Sequence, residues 1–423
     1  MKKRKLNKRI FLLLTAAVLS STAAFAGIAI TEPKDGATVP LLTDAQKAYL
    51  AMPRAKRRSK LSDSLERRKS RIMMESSVER VAGSKEERKT CWPKSVRLAW
   101  MAKDETGCTV SVKDVKTGAC VYESEVKGGS VNIDNLEIAT EYEWTVSGGG
   151  ETATSRFKTE DMAPRLVRFP GVPNVRDLGG RIGLGGKRVK QELVFRSAGL
   201  NENATSTYYT KEELEQLGRL DEAKNGKRVV KGQKPGNSRV EGENGEYIRK
   251  RFGIKSDIDL RSDGECYGMK GSPLGESVTW FHYPSSAYDE ILSRGGKEAF
   301  KKVFKVFLDR NNYPIDFHCI GGRDRAGTVA FILNALLGVE KVQLYLDWRA
   351  TGLWDSSIGY RQERRFDALV RGFRKKYPAP TINESVEKYV LSLGFTSEDI
   401  ATFRSIMFFG LHPFFERRIS PNP

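Results

Sequence analysis

The run His318 to Thr328, HCIGGRDRAGT, brings a thiol, two adjacent glycines and three charged side chains into one short stretch. IDFH (Ile315 to His318) leads in as a buried strand, and AGTVAFILNALLG leads out as an apolar helix. A tight loop between a strand end and a helix N-terminus points backbone N–H groups inward, and the helix dipole adds to them. That arrangement binds a dianion such as phosphate. Gly321 and Gly322 let the backbone approach the oxygens, and Arg325 offers a planar fork that pairs with two of them. Ile320, Arg323 and Ala326 complete the expected substrate-binding lining. The same field favours the thiolate of Cys319, the form that acts as a nucleophile. Nucleophile, anion cradle and charge clamp in one loop predict phosphoryl transfer through a cysteinyl-phosphate.

The loop resembles the signature of the cysteine-dependent protein tyrosine phosphatase superfamily: His-Cys, five residues, Arg, Ser or Thr, Gly. Its Arg323-Asp324-Arg325 core is similar to the Lys-Asp-Arg of the atypical secreted bacterial branch. NVRDLGG (Asn174 to Gly180), LVFRSAGL (Leu193 to Leu200) and GIKSDIDLRSDGE (Gly253 to Glu265) resemble further segments of that branch, in the same order. The resemblance spans about 170 to 410 and implies a phosphatase fold and activity, with no cofactor and no metal. One residue departs from the pattern. The family's hydroxyl after the arginine, which steadies the departing thiolate, is replaced by Ala326, and Thr328 is the nearest substitute.

A phosphate ester also needs an acid for its leaving oxygen, because a tyrosine hydroxyl has a pKa of about 10. Three aspartates compete. Asp324 lies in the loop, Asp259 ends the strand IDLR, and Asp289 follows the strand HYP. Asp324 and Asp259 stand level, with Asp289 behind; each could equally serve a turn or a cap. His318 is expected to hydrogen-bond backbone and set the loop rather than carry a proton. Asp177 and Arg176 are expected to form a buried pair near the site, and Arg196 and Arg261 either to do the same or to meet substrate. The resemblance places a lysine at the Arg323 position in phosphatases of multiply phosphorylated lipids, so Arg323 points toward substrates with more than one phosphate.

These residues need positioning elements, and the chain of 423 residues is long enough for two or three domains. MKKRKLNKR, a 17-residue apolar run and Ala24-Phe25-Ala26 read as a signal peptide over 1–26, so the protein is expected to be secreted or periplasmic, or else anchored by that run. Residues 27–91 read as a partly helical, basic extension. Thr43 caps a helix there, and AKRRSKLSDSLERRKSRIMM reads as a solvated face or a surface for an acidic partner or a membrane. From 92 to 160, short alternating runs with turns between them predict an all-β sandwich. Trp100, Leu136, Tyr142 and Trp144 resemble the pattern of a fibronectin type III-like domain, with Tyr142 as its corner tyrosine.

Strands alternating with helices over 163–415 predict an α/β catalytic domain, a mostly parallel sheet flanked by helices with the loop at a central strand's carboxyl end. Residues 201–244, polar and basic, read as an insertion. The net charge is +19, or +13 without the six Lys and Arg of 1–26. It suits polyanionic substrates, and no nucleic-acid motif accompanies it. Cys91, Cys108 and Cys120 leave room for one disulfide whose pairing the sequence does not fix, and Cys319 must stay reduced with Cys266 nearby in the same domain. The expected ligand is a phosphorylated protein, a phosphoinositide or an inositol phosphate. Two other classes also use such a loop: a non-catalytic phospho-ligand binder, which the intact Cys319 and Arg325 disfavour, and a rhodanese-like sulfurtransferase, which the Cys-to-Arg spacing and RDLGG disfavour.

Overall fold

The computed structural model describes residues 27–52, 91–102, 107–355 and 360–409. The expected signal peptide and most of the basic extension lie outside these residues. Among the described residues, no helix is long and apolar enough to cross a membrane.

Alternating apolar residues build two sheets over one core. Ala29–Glu32, Val96–Met101 and Ser130–Ile133 form a three-stranded sheet, and Ala37–Val39, Glu151–Thr159, Glu141–Gly148, Cys108–Asp114 and Cys120–Val126 form a five-stranded one. Leu98, Trp100 and Ile133 from the first meet Val110, Trp144 and Phe157 from the second. Tyr142 accepts a hydrogen bond from the Glu137 N–H at 2.9 Å. Thr43 caps the helix Asp44–Ala51 through a reciprocal bond with Gln46. That helix does not join the sandwich core. Its Tyr49 donates to the Arg349 carbonyl, 300 residues away, and leaves room only for glycine at Gly352, where a Cβ would stand 1.7 Å from the phenol oxygen.

All five cysteines are free. Cys108 pairs with Val126 and Cys120 with Lys113, so the register holds these two at opposite ends of their strands. Cys91 packs in a separate cluster with Tyr49 and Leu353. The disulfide expected among the three is therefore absent.

The catalytic sheet has the order Thr279–His282, Ser256–Asp259, Ile315–His318, Val194–Ser197, Arg176–Asp177. The first four strands are parallel, and the short edge strand is antiparallel. Period-two alternation sorts its faces. Val194, Ile258, Ile315 and Phe317 pack with the helices Arg294–Val306 and Arg325–Leu336, whereas Phe195 packs with Phe252 of Glu243–Phe252. The strand Ile315–His318 is third of five, which puts the loop that follows it at the centre. The expected insertion is not structureless: it holds a hairpin, Thr205–Tyr208 with Val230–Lys234, and a short helix, Lys211–Gln216.

A buried ionic cluster joins the sandwich to this sheet. Glu192 accepts from Arg165 at 2.9 Å and from Arg251 at 2.9 and 3.2 Å, and both arginines also donate to the Asn135 carbonyl of the sandwich. Asp177 joins from below, accepting from Arg165 at 2.7 Å. The expected pair of Asp177 with Arg176 does not form, because adjacent residues of an extended strand face opposite ways. Replacing Glu192 by Gln keeps its size but leaves two buried guanidinium groups short of a counter-charge, at a cost of about 3 to 5 kcal/mol. The exposed pair Lys250–Glu246 provides the control: Glu246→Gln should change stability by less than about 0.5 kcal/mol. Chemical denaturation of both variants measures the contrast.

Candidate active site

Cys319 follows the central strand and is only 3% exposed. After five intervening residues the helix Arg325–Leu336 begins, with Asp324 at its N-cap making no side-chain cap bond. The loop between them is pinned from behind, one carbonyl at a time. Gly199 N–H donates to the Ile320 carbonyl at 3.1 Å, Asn174 Nδ2 to the Gly321 carbonyl at 2.7 Å, and Arg196 to the Gly322 carbonyl. Thr328 holds the Asp324 carbonyl with its N–H at 2.9 Å and its hydroxyl at 2.8 Å. Across a trans peptide the N–H points opposite to the C=O. The N–H groups of Gly321, Gly322, Arg323 and Arg325 are thereby turned away from these pinning partners. Gly322 has φ +66°, and a Cβ there would lie 2.4 Å from the Ser197 carbonyl, so glycine is required.

The pins rest on one carboxylate. Asp347, on the helix Lys341–Arg349, pairs with Arg196, with Arg181 at 2.8 Å and with Arg176 at 3.6 Å. Arg176 in turn holds the Asn174 side chain and Thr351 Oγ1. Burial and the neighbouring Arg196 push Arg176 down to about 9, while the three guanidinium groups overcome burial to hold Asp347 far below the usual carboxylate range. Sequence reasoning missed Asp347.

It also missed Glu265, Tyr288 and Asp355. Arg325 is forked onto Glu265 at 2.7 and 3.2 Å, and Glu265 is anchored by the Ser262 N–H at 2.7 Å. Despite the burial that raises it, Arg325 keeps Glu265 below its ordinary range. The Tyr288 hydroxyl donates to Asp324 Oδ1 at 2.6 Å and accepts from Trp348 Nε1 at 3.3 Å. Tyr288 has φ +54°, a strained value for an aromatic residue. Arg323 reaches Asp355 at 2.6 Å and both oxygens of Asp324 at 3.3 Å. Ile320, 41% exposed, stands at the rim, and Ala326 is buried.

The three candidate acids differ sharply. Asp259 is fully buried and forked onto Arg261 at 2.6 to 3.1 Å, with Cys266 donating to it at 3.2 Å. Burial is outweighed by His318 and Arg261, which hold it far below the carboxylate range, so this group has no proton to give. Asp289 is exposed and lies beside Gly372, turned from the loop. Asp324 alone sits in the loop with a partly exposed carboxyl. The Thr328 hydroxyl accepts from the Tyr288 N–H at 2.7 Å besides donating to Asp324, so it does not replace the hydroxyl lost at Ala326. Arg261 also reaches Asn201 Oδ1 at 2.6 Å. His318 sets the loop through charge rather than through backbone bonds. Its Nε2 lies 3.0 Å from Asp257 and its Nδ1 3.8 Å from Asp259.

An anion-cradling loop at the carboxyl end of a central parallel strand, with its arginine pre-clamped, defines the class. The chain belongs to the tyrosine phosphatase family, whose model matches residues 167–219 and 235–408. The gap between the two stretches falls in the insertion. A Cupriavidus necator protein named as a candidate tyrosine-protein phosphatase is 25% identical over 199 residues, 41% of this chain and 59% of that protein. The chain thus spans less than two thirds of that relative.

Two outcomes follow from this geometry. Glu265→Gln frees Arg325 to swing, and the affinity for inorganic phosphate should fall about tenfold, the loss of one charge-assisted contact. Tighter binding by calorimetry would instead show that Glu265 blocks the arginine. His318 is pushed up to about 9, since Asp259 and Asp257 overcome the opposing burial. A folded value above the free ring's value of about 6.5 gives stability that is full below that pH and lost as pH rises through about 9. The urea-unfolding penalty of His318→Asn should therefore be largest at about pH 6 and shrink toward pH 9. A penalty independent of pH would mean a neutral ring.

Proposed function

We propose that the protein hydrolyses phosphomonoesters through a cysteinyl-phosphate at Cys319, with Arg325 as clamp and Asp324 as proton donor. The observation that carries this reading is the loop's outward-pinned carbonyls, which leave its N–H groups to meet phosphate oxygens. In the first step the thiolate attacks phosphorus and the ester P–O bond breaks, with the Asp324 proton going to the leaving oxygen. In the second step water attacks the phosphocysteine and gives its proton to Asp324. Phosphate leaves and the thiolate returns. Tyr288 holds Oδ1 of Asp324 at 2.6 Å, and transfer from Oδ2 requires Arg323 to yield its 3.3 Å contact there. Without a hydroxyl at Ala326, the departing thiolate relies on the loop's N–H groups and the helix terminus.

A cysteine this deeply buried favours phosphate carried on an extended arm, and phosphotyrosine in a peptide is the first substrate class. Phosphoinositides and inositol phosphates rank behind it, because Arg323 is already engaged by Asp324 and Asp355. A second phosphate would have to displace Asp355. We further read the two-sheet module as a fibronectin type III-like spacer, supported by the bond from the Glu137 N–H to the Tyr142 hydroxyl, and 1–26 as an export signal.

Cys319→Ser should abolish turnover of an aryl phosphate while retaining vanadate binding, and chelators should leave the native enzyme unaffected. Full activity of the serine variant would mean that another group is the nucleophile. Asp324→Asn should cost about a hundredfold in kcat/KM on phenyl phosphate, whose leaving group needs the proton, and far less on para-nitrophenyl phosphate. Equal losses on the two esters would remove Asp324 from the acid role.

A further inference from the structure

A cleft of ≈ 580 Å³ separates the sandwich from the catalytic domain, and no residue of the loop 319–325 lines it. Its floor is a side chain that behaves like backbone. Gln191 Oε1 accepts from the Ile138 N–H at 2.9 Å, and its Nε2 donates to the Ile138 carbonyl at 3.0 Å. Three lysines from three separate elements border the space: Lys116 in a turn of the sandwich, Lys158 on its last strand, and Lys190 on the catalytic side. No ion pair within 4 Å is formed by any of the three among the described residues.

Carboxylates also line the cleft, and their occupations decide the sign of the site. Asp114 is turned into its own loop, accepting from the N–H groups of Lys116 at 2.7 Å and Thr117 at 3.0 Å. Glu137 accepts from Gln191 Nε2 at 3.4 Å and lies near enough to Lys190 to favour its charge. Glu141 stands opposite Lys158 in the strand register. The fourth cation, Arg188, is committed to Asp161 at 2.6 Å. Glu137 and Glu141 thus offset part of the lysines' charge without closing an ion pair with them. Lys190, half-buried, is held below its ordinary range by burial and then by Lys116 and Arg310, a sign of crowded cations.

We propose that this cleft is a second anion site, separate from the catalytic loop, for a compact ligand carrying two or more phosphate groups. Three uncommitted ammonium groups on separate elements need several anionic oxygens spread over a distance, which one phosphate does not offer. The volume lies within the range of ligand sites, about 300 to 1,000 Å³. A cleft with low-dielectric walls also focuses the potential of such cations. A ligand that touches Lys116 and Lys158 on one side and Lys190 on the other braces the two domains against each other. This inference does not depend on the catalytic assignment.

The test is calorimetric titration of the full chain with inorganic tripolyphosphate and, in parallel, with a sugar bisphosphate. Both are run in an Arg325→Ala background, which disables the catalytic loop. That variant should still bind, and adding Lys116→Ala and Lys190→Ala should weaken binding about a hundredfold, about tenfold for each lost contact. The stronger of the two ligands identifies inorganic or sugar-borne phosphate. In the otherwise native chain, Lys116→Ala/Lys190→Ala should leave para-nitrophenyl phosphate turnover unchanged, which verifies folding. If the double variant misfolds, single Lys→Gln changes are titrated instead. Loss of all binding on Arg325→Ala, or binding indifferent to the lysine changes, overturns the proposal.

Discussion

One buried carboxylate sets the shape of the active loop. Asp347 faces three guanidinium groups, and a lone carboxylate does not neutralise three cations in a dry interior. The imbalance is met by carbonyl dipoles. Arg196 turns one N–H to Gly322, Arg181 turns to the carbonyls of Asp177 and Leu178, and Arg176 turns to Asn174, while the Nε of each is buried without a hydrogen bond. The excess positive charge is thus spread onto the back of the loop. On the proposed function, the loop is organised before any phosphate arrives, so binding need not reorganise it.

The opposite sheet face has its own polar strip. In-register parallel strands stack Asp257 beside Asp316 and Asp259 beside His318, all fully buried. Ser272 donates to one oxygen of Asp257 and Ser197 to one oxygen of Asp316, while the other oxygen of each carboxyl is buried without a hydrogen bond. Burial pushes Asp316 up to about 7 despite the nearby His318. His318 lies between carboxylates, directly before Cys319. A central strand of a parallel sheet is ordinarily an apolar run, and IDFH departs from that pattern on this one face.

The sequence made the loop and its flanking elements legible because each signal was local. The Cys-to-Arg spacing, the strand before it and the apolar helix after it lie within about thirty residues. The Thr43 cap was legible for the same reason. What escaped was set by tertiary contact. Asp347 is 151 residues from Arg196 and Glu265 is 60 from Arg325, and nothing near either residue announces its partner. The Arg176–Asp177 pair failed because proximity in sequence was allowed to outweigh strand alternation. The same alternation could have shown that Asp259 and Arg261, two residues apart, share a side and bind each other rather than a substrate.

The N-terminal helix has a consequence in time. Tyr49 closes over Gly352, and Met52 receives the Arg349 guanidinium, so this early helix is seated on the segment just behind the loop, beside Trp354. On the ribosome its docking surface does not exist until about three hundred further residues have been made. The first described helix therefore waits through most of synthesis with its apolar face uncovered. It completes its contacts beside the loop only once the chain through Trp354 has emerged.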